Sequence, residues 1–148
     1  MAESCLSVYI DLRMKPATMN SARVLIVEDD FLIRLTLSEA LAADGFDVVE
    51  AGSADEAAEM LASGLAVGLL LTDIQLPGKR DGWALAHEAR LAQPNLPVIF
   101  TTGSPNRDPH AALHPADLYI EKPYLPSRIC AAARTMLGLP ASGRTRFD

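Results

Sequence analysis

Cysteine is nearly missing: the 148-residue chain holds two, Cys5 and Cys130, with no CxxC spacing and no histidine-rich company. Neither a zinc site nor a redox pair is indicated, and both read as reduced thiols, Cys130 as a small core residue of the last helix. Long apolar runs are missing too. The longest, Leu65 to Leu71, is far short of the roughly 18–20 residues that a bilayer-spanning helix needs. The opening MAESCLSVYIDLR lacks a basic start, an apolar stretch and a small-residue cleavage site. No secretory signal is read there, and the expected compartment is the cytoplasm. Basic residues are in the minority, 13 Lys and Arg against 19 Asp and Glu, for a net charge of −6. That balance argues against broad attraction to nucleic acid or to an anionic membrane. No internal repeat or low-complexity tract occurs.

What is present suits one globular domain: 49% hydrophobic and 22% charged residues in a chain of this length can build a sizeable core. From Arg23 onward, short β-rich runs alternate with stretches of helical period, the pattern of βα units in a parallel sheet. The strand candidates are Arg23 to Val27, Asp47 to Ala51, Val67 to Thr72, Pro97 to Thr101 and Asp117 to Ile120. The first, third and fourth are almost continuously apolar and are expected at the sheet's centre, with helices on both faces; the other two belong nearer an edge.

Helix faces are readable between these runs. Ile33, Leu37, Ala40 and Leu41 keep helical spacing before Gly45, and Ser53 with Glu56 makes a capping-box signature ahead of Ala54, Ala57, Ala58, Leu61 and Leu65. Trp83 to Gln93 is a third helix, stopped before Pro94, and Leu125, Ile129, Ala132, Ala133 and Met136 mark a last one, stopped at Gly138. Between Thr101 and Asp117 lie Gly103, Pro105, Pro109 and Pro115, so a fourth helix is expected to be short or irregular. Residues 1–20 read as an N-terminal arm, 21–138 as the domain and 139–148 as a tail.

Acidic residues gather where strands end, the ligand-facing edge of an open parallel sheet. Glu28, Asp29 and Asp30 follow the first strand, Asp73 the third, Thr101 and Thr102 the fourth, and Lys122 the fifth, just before Pro123. Each has a purely structural reading: Asp30 suits a helix N-cap, Asp73 a turn, Thr102 a strand end. Together they carry more. If the first and third strands are neighbours, as in the 2-1-3-4-5 order of a flavodoxin-like sheet, Glu28, Asp29 and Asp73 converge. Carboxylates so placed repel unless a hard divalent cation sits among them, and Mg2+ binds through one or two carboxylates, waters and a phosphate. Lys122 adds a compact positive charge and Thr102 a hydroxyl donor, a set suited to phosphoryl chemistry.

These residues, VLIVEDD (Val24 to Asp30), LLLTDIQLPG (Leu69 to Gly78) with DGW from Asp81, PVIFTTG (Pro97 to Gly103) and YIEKP (Tyr119 to Pro123), resemble in order the CheY-like receiver domain of bacterial two-component response regulators. The resemblance spans Ala22 to Leu137. It implies a flavodoxin-like (βα)5 doubly wound sheet with Asp73 as phosphoacceptor. It also implies that Glu28, Asp29, Asp73 and the Gln75 backbone carbonyl hold Mg2+. Thr102, Gly103 and Lys122 would bind the phosphoryl group, Thr102 and Tyr119 would form the switch, and the Lys122-Pro123 peptide would be cis. The implied partners are a sensor histidine kinase or phosphotransfer protein and an unknown downstream protein, with homodimerisation open and no nucleic acid or membrane partner. Such a domain assists its own phosphorylation and dephosphorylation without being a turnover enzyme.

The chain departs from the usual pattern in a loop after Asp73 one residue longer before Asp81-Gly82, and in the Pro-rich segment after Gly103. Gly138 to Asp148 are too few for a DNA-binding module, so the expectation is a single-domain regulator, the receiver of a hybrid histidine kinase, or a degenerate receiver that binds protein unphosphorylated. A phosphohydrolase with an aspartyl nucleophile often has a second Asp two residues on, where this chain has Gln75. A flavin or nucleotide binder wants a Gly/Ser/Thr-rich loop after the first strand, where this chain has EDD. His87, His110 and His114 lack ligand spacing or a base partner and read as background.

Overall fold

Runs such as RVLIV and LLL have no polar face, so they are stable only where both sides of the sheet are covered. The computed structural model describes residues 23–103 and 114–141. In it β1 (Arg23–Val27), β2 (Asp47–Ala51), β3 (Leu69–Asp73), β4 (Val98–Thr102) and β5 (Asp117–Glu121) form one parallel sheet in the order β2-β1-β3-β4-β5. Helices α1 (Phe31–Ala43), α2 (Ala54–Ala62), α3 (Gly82–Ala92) and α4 (Pro126–Met136) cover its two faces. This is the flavodoxin-like doubly wound fold expected from the pattern of runs. β1, β3 and β4 are the inner strands, and β2 and β5, mostly half-buried, are the outer pair.

Strand alternation divides the core in two. Leu25, Val27, Leu70, Val98 and Phe100 pack with Ala54, Ala57, Leu85 and Ala89 of α2 and α3. Val24, Ile26, Leu69, Leu71 and Ile99 point the other way, onto Leu37 and Leu41 of α1 and Ile129 and Ala133 of α4. Each large side chain so buried stabilises the fold by about 1.5–3 kcal/mol relative to exposure.

Caps fix where the helices start. Asp30 accepts from the backbone N–H groups of Leu32 (2.9 Å) and Ile33 (3.1 Å), and Asp81 from that of Ala84 (2.9 Å). Ser53 accepts from Glu56 N at 3.1 Å, but the Glu56 carboxylate reaches one residue beyond the usual box, to Gly52 N at 2.7 Å.

Several boundaries differ from expectation. β3 starts at Leu69 and runs through Asp73, and β4 runs from Val98 through Thr102, because the ladder pairs Asp73 with Thr101 and Thr102 with Glu121. Leu65 lies outside α2: Gly64, at φ +105°, ends that turn, and Leu65 N returns to Met60 O at 3.1 Å. Leu125 is the N-cap of α4 and is 72% exposed, with Pro126 taking the first helical position. Cys130 is half-buried against the α1–α4 core rather than fully inside it. The arm expected over residues 1–20, the irregular fourth helix, Cys5 and His110 fall outside the described residues. Among the described residues no helix is long and apolar enough to cross a membrane.

Candidate functional site

The register of the sheet assembles the site. Val27 pairs with Thr72, so the next residues of β1 and β3, Glu28 and Asp73, stand side by side at the C-terminal edge. Thr102 pairs with Glu121, which brings Lys122, the residue after β5, to the same edge. Glu28 and Asp73 are buried, at 3% and 7% exposure, whereas Asp29 faces solvent. One carboxylate oxygen from each of Glu28, Asp29 and Asp73 lies within 4.8 Å of the others. An all-oxygen donor set with one open side fits a hard divalent ion such as Mg2+.

Lys122 Nζ donates to Asp73 Oδ2 at 2.6 Å and stands 3.6 Å from Glu28 Oε1. Asp73 Oδ1 accepts from Gln75 N at 3.2 Å, and Glu28 Oε2 from Asp30 N at 3.1 Å. Burial pushes the Glu28 carboxyl above its ordinary range and the Asp73 charge adds to the rise, while the Asp30 N–H and Lys122 oppose it. Burial works to lower the Lys122 ammonium, but the hydrogen bond and charge of Asp73, with Glu28, outweigh it and leave the group above its ordinary value. The pocket is thus a partly buried acidic cluster offset by the Lys122 ammonium.

Thr102 ends β4 half-buried, its carbonyl accepting from Lys122 N at 2.7 Å. Gly103 is exposed, and Gln75 turns its backbone toward Asp73 from an exposed loop. The Lys122-Pro123 peptide is cis. Tyr119 stacks its ring 5.1 Å from Phe100 and tilts it 5.5 Å from Trp83, with its hydroxyl 3.4 Å from Asp117 Oδ2. Asp30 is occupied by its cap, as its structural reading holds. His87 is exposed, and His114 bridges a turn, accepting from Ala116 N at Nδ1 and lying 3.0 Å from Pro94 O at Nε2.

Sequence reading passed over three residues near the site. Thr72, the lone polar residue of LLLTD before the acid, donates from Oγ1 to the Asp73 carbonyl at 2.9 Å. The Tyr124 hydroxyl is buried without a hydrogen-bond partner among the described residues, and burial with the nearby Glu28 charge pushes it up to about 12. Arg34 reaches the Glu28 carbonyl from α1. A tyrosine directly after Lys-Pro and an arginine inside the first helix were the available signals.

Comparison with known proteins places this geometry. Residues 24–134 match the family described as response regulator receiver domain. The chain is 40% identical over 121 residues to aerobic respiration control protein ArcA of Escherichia coli strain K12, covering 80% of this chain and 50% of ArcA. It is 33% identical over 121 residues to sensor kinase CckA of Brucella abortus, covering 79% of this chain and 13% of the kinase. A solved response regulator receiver protein from Sinorhizobium medicae superposes with a TM-score of 0.74 at 29% identity, over 79% of this chain and 94% of that one. The chain therefore spans about half the length of ArcA and a smaller part of the kinase.

Proposed function

The chain belongs to the response regulator receiver domain family, and from that premise we propose that Asp73 accepts a phosphoryl group from a phosphohistidine of a sensor histidine kinase or phosphotransfer protein. The observation that carries this is the 2.6 Å contact of Lys122 Nζ with Asp73 Oδ2 inside the Glu28–Asp29–Asp73 cluster. An Asp73 carboxylate oxygen attacks phosphorus, a P–O bond forms, the P–N bond breaks, and the imidazole nitrogen keeps the electron pair. Lys122 neutralises charge on the transferring oxygens, while the Gln75 N–H and the β3–β4 ladder hold the acceptor in place. Glu28, Asp29, Asp73 and the Gln75 carbonyl are assigned to Mg2+, which when bound offsets phosphoryl charge.

The phosphorylated carboxylate draws the Thr102 hydroxyl and the Gly103 N–H inward, and Tyr119 follows into the space released, remodelling the β4–β5 face. That face signals to a downstream protein, and the domain assists its own phosphorylation and dephosphorylation without other turnover. The proposed unit is the receiver domain of residues 21–138, acting in the cytoplasm. The match to the Brucella sensor kinase favours a second reading, a receiver carried by a hybrid kinase; both use the same acceptor.

Binding of beryllofluoride, a phosphoryl mimic, tests the assignment by calorimetry. Saturable binding that requires Mg2+ and is lost in Asp73→Asn is expected; binding that survives either omission contradicts it.

A further inference from the structure

We propose that Arg34 is a positioning residue for the acidic pair: by holding the Glu28 carbonyl it fixes the Glu28–Asp29 peptide and sets the Mg2+ affinity of the site. The proposal rests on the metal assignment above and adds a residue that contacts neither Mg2+ nor phosphate.

Arg34 lies one turn into α1, with its backbone N–H on Asp30 O at 2.9 Å. Its guanidinium turns back toward the sheet edge, where its side chain is 18% exposed. Nη1 donates to Glu28 O at 2.8 Å, Nε donates to Glu50 Oε1 of β2 at 3.1 Å, and the guanidinium carbon lies 5.5 Å from the centre of the Phe31 ring. One rigid fork therefore joins the acidic loop, the neighbouring strand and the start of α1.

Glu28 is held from the other side as well. Its N–H donates to Ala51 O at 3.2 Å, and its carboxylate accepts from Asp30 N at 3.1 Å. With the amide tied to β2 and the carbonyl tied to Arg34, the Glu28–Asp29 peptide has one orientation. That plane sets the direction of the Asp29 carboxylate, which is exposed. Glu50 in turn aims the fork. A lysine here keeps the charge but lacks the paired donors that reach Glu28 O and Glu50 together.

Outer residues that orient metal ligands typically contribute 10–100-fold to affinity. The test is calorimetric Mg2+ titration of the full 148-residue chain and of Arg34→Lys and Arg34→Gln, with melting in EDTA alongside. We expect Mg2+ binding to weaken about tenfold or more in both variants. We also expect Arg34→Lys to remain folded in EDTA and to regain the unsubstituted rate of phosphorylation by acetyl phosphate once Mg2+ is saturating. A merely structural role would lower the melting point and leave the affinity of the folded chain unchanged. Binding within twofold of the unsubstituted chain in Arg34→Lys overturns the proposal alone. Failure of the unsubstituted chain to bind Mg2+ overturns it together with the metal assignment on which it rests.

Discussion

Asp29 and Asp30 are adjacent, chemically identical and assigned opposite tasks. Asp30 spends its carboxylate on two N–H groups of α1, whereas Asp29 offers an oxygen to Glu28 and Asp73 within 4.8 Å. Without metal, those carboxylates repel. Asp29→Asn is therefore expected to raise the Mg2+-free melting point by about 2–4 °C and to abolish the further rise that Mg2+ produces. Asp30→Ala is expected to cost about 1 kcal/mol through the lost cap and to leave the Mg2+ response intact. Melts with and without Mg2+ read both variants, and an Asp29→Asn chain that still gains stability from Mg2+ contradicts the metal assignment. The convergence of the acids and Lys122 was legible in the sequence because charges recur at the ends of several strands, where each alone suits a cap or a turn but the combination does not. Arg34 was not, because its partner is a backbone carbonyl, which no residue type advertises.

At the scale of elements, the strand that carries Asp73 depends on a contact with the start of α3. Gly82 N donates to Ile74 O at 2.8 Å, and a Cβ placed on Gly82 would stand 2.3 Å from the Asp73 carbonyl oxygen. Backbone faces backbone there, so no rotamer relieves the clash. Gly82→Ala is expected to cost about 1–3 kcal/mol and to slow phosphorylation by displacing Asp73. A Cβ on Gly103 meets open space, and Gly103→Ala is expected to change stability by no more than about 0.5 kcal/mol. Urea unfolding of the pair checks the contrast; equal losses would mean that Gly82 is not packed on Asp73. The same logic explains the boundary errors. Asp73 and Thr102 look like loop residues, yet a parallel ladder runs through main-chain groups and continues through them. Val67 looks like strand and is 3% exposed, but β3 begins only at Leu69. Burial and ladder pairing are separate properties, and composition reports the first.

For the whole molecule, the apolar runs of β1, β3 and β4 announced a sheet covered on both faces, and the two core clusters realise that demand. Strand order was less accessible. Periodicity does not say which strands are neighbours; the placement of β3 beside β1 came from the 2-1-3-4-5 order of a flavodoxin-like sheet and the resemblance of the motifs, and the convergence of Glu28, Asp29 and Asp73 followed from it. The same edge also receives Lys122 from β5, two strands beyond Asp73, so the site exists only once β1, β3, β4 and β5 stand together. The site is in this sense a property of the fold, not of one loop.

The central claim is that Asp73, in this acidic setting and with Mg2+, takes a phosphoryl group. Intact mass after incubation with acetyl phosphate, with and without Mg2+ and in Asp73→Asn, tests it most directly. The account predicts a gain of one phosphoryl group that requires both Mg2+ and Asp73. A chain that gains none from acetyl phosphate or from a panel of phosphorylated histidine kinases, or gains one equally well as Asp73→Asn, would contradict it.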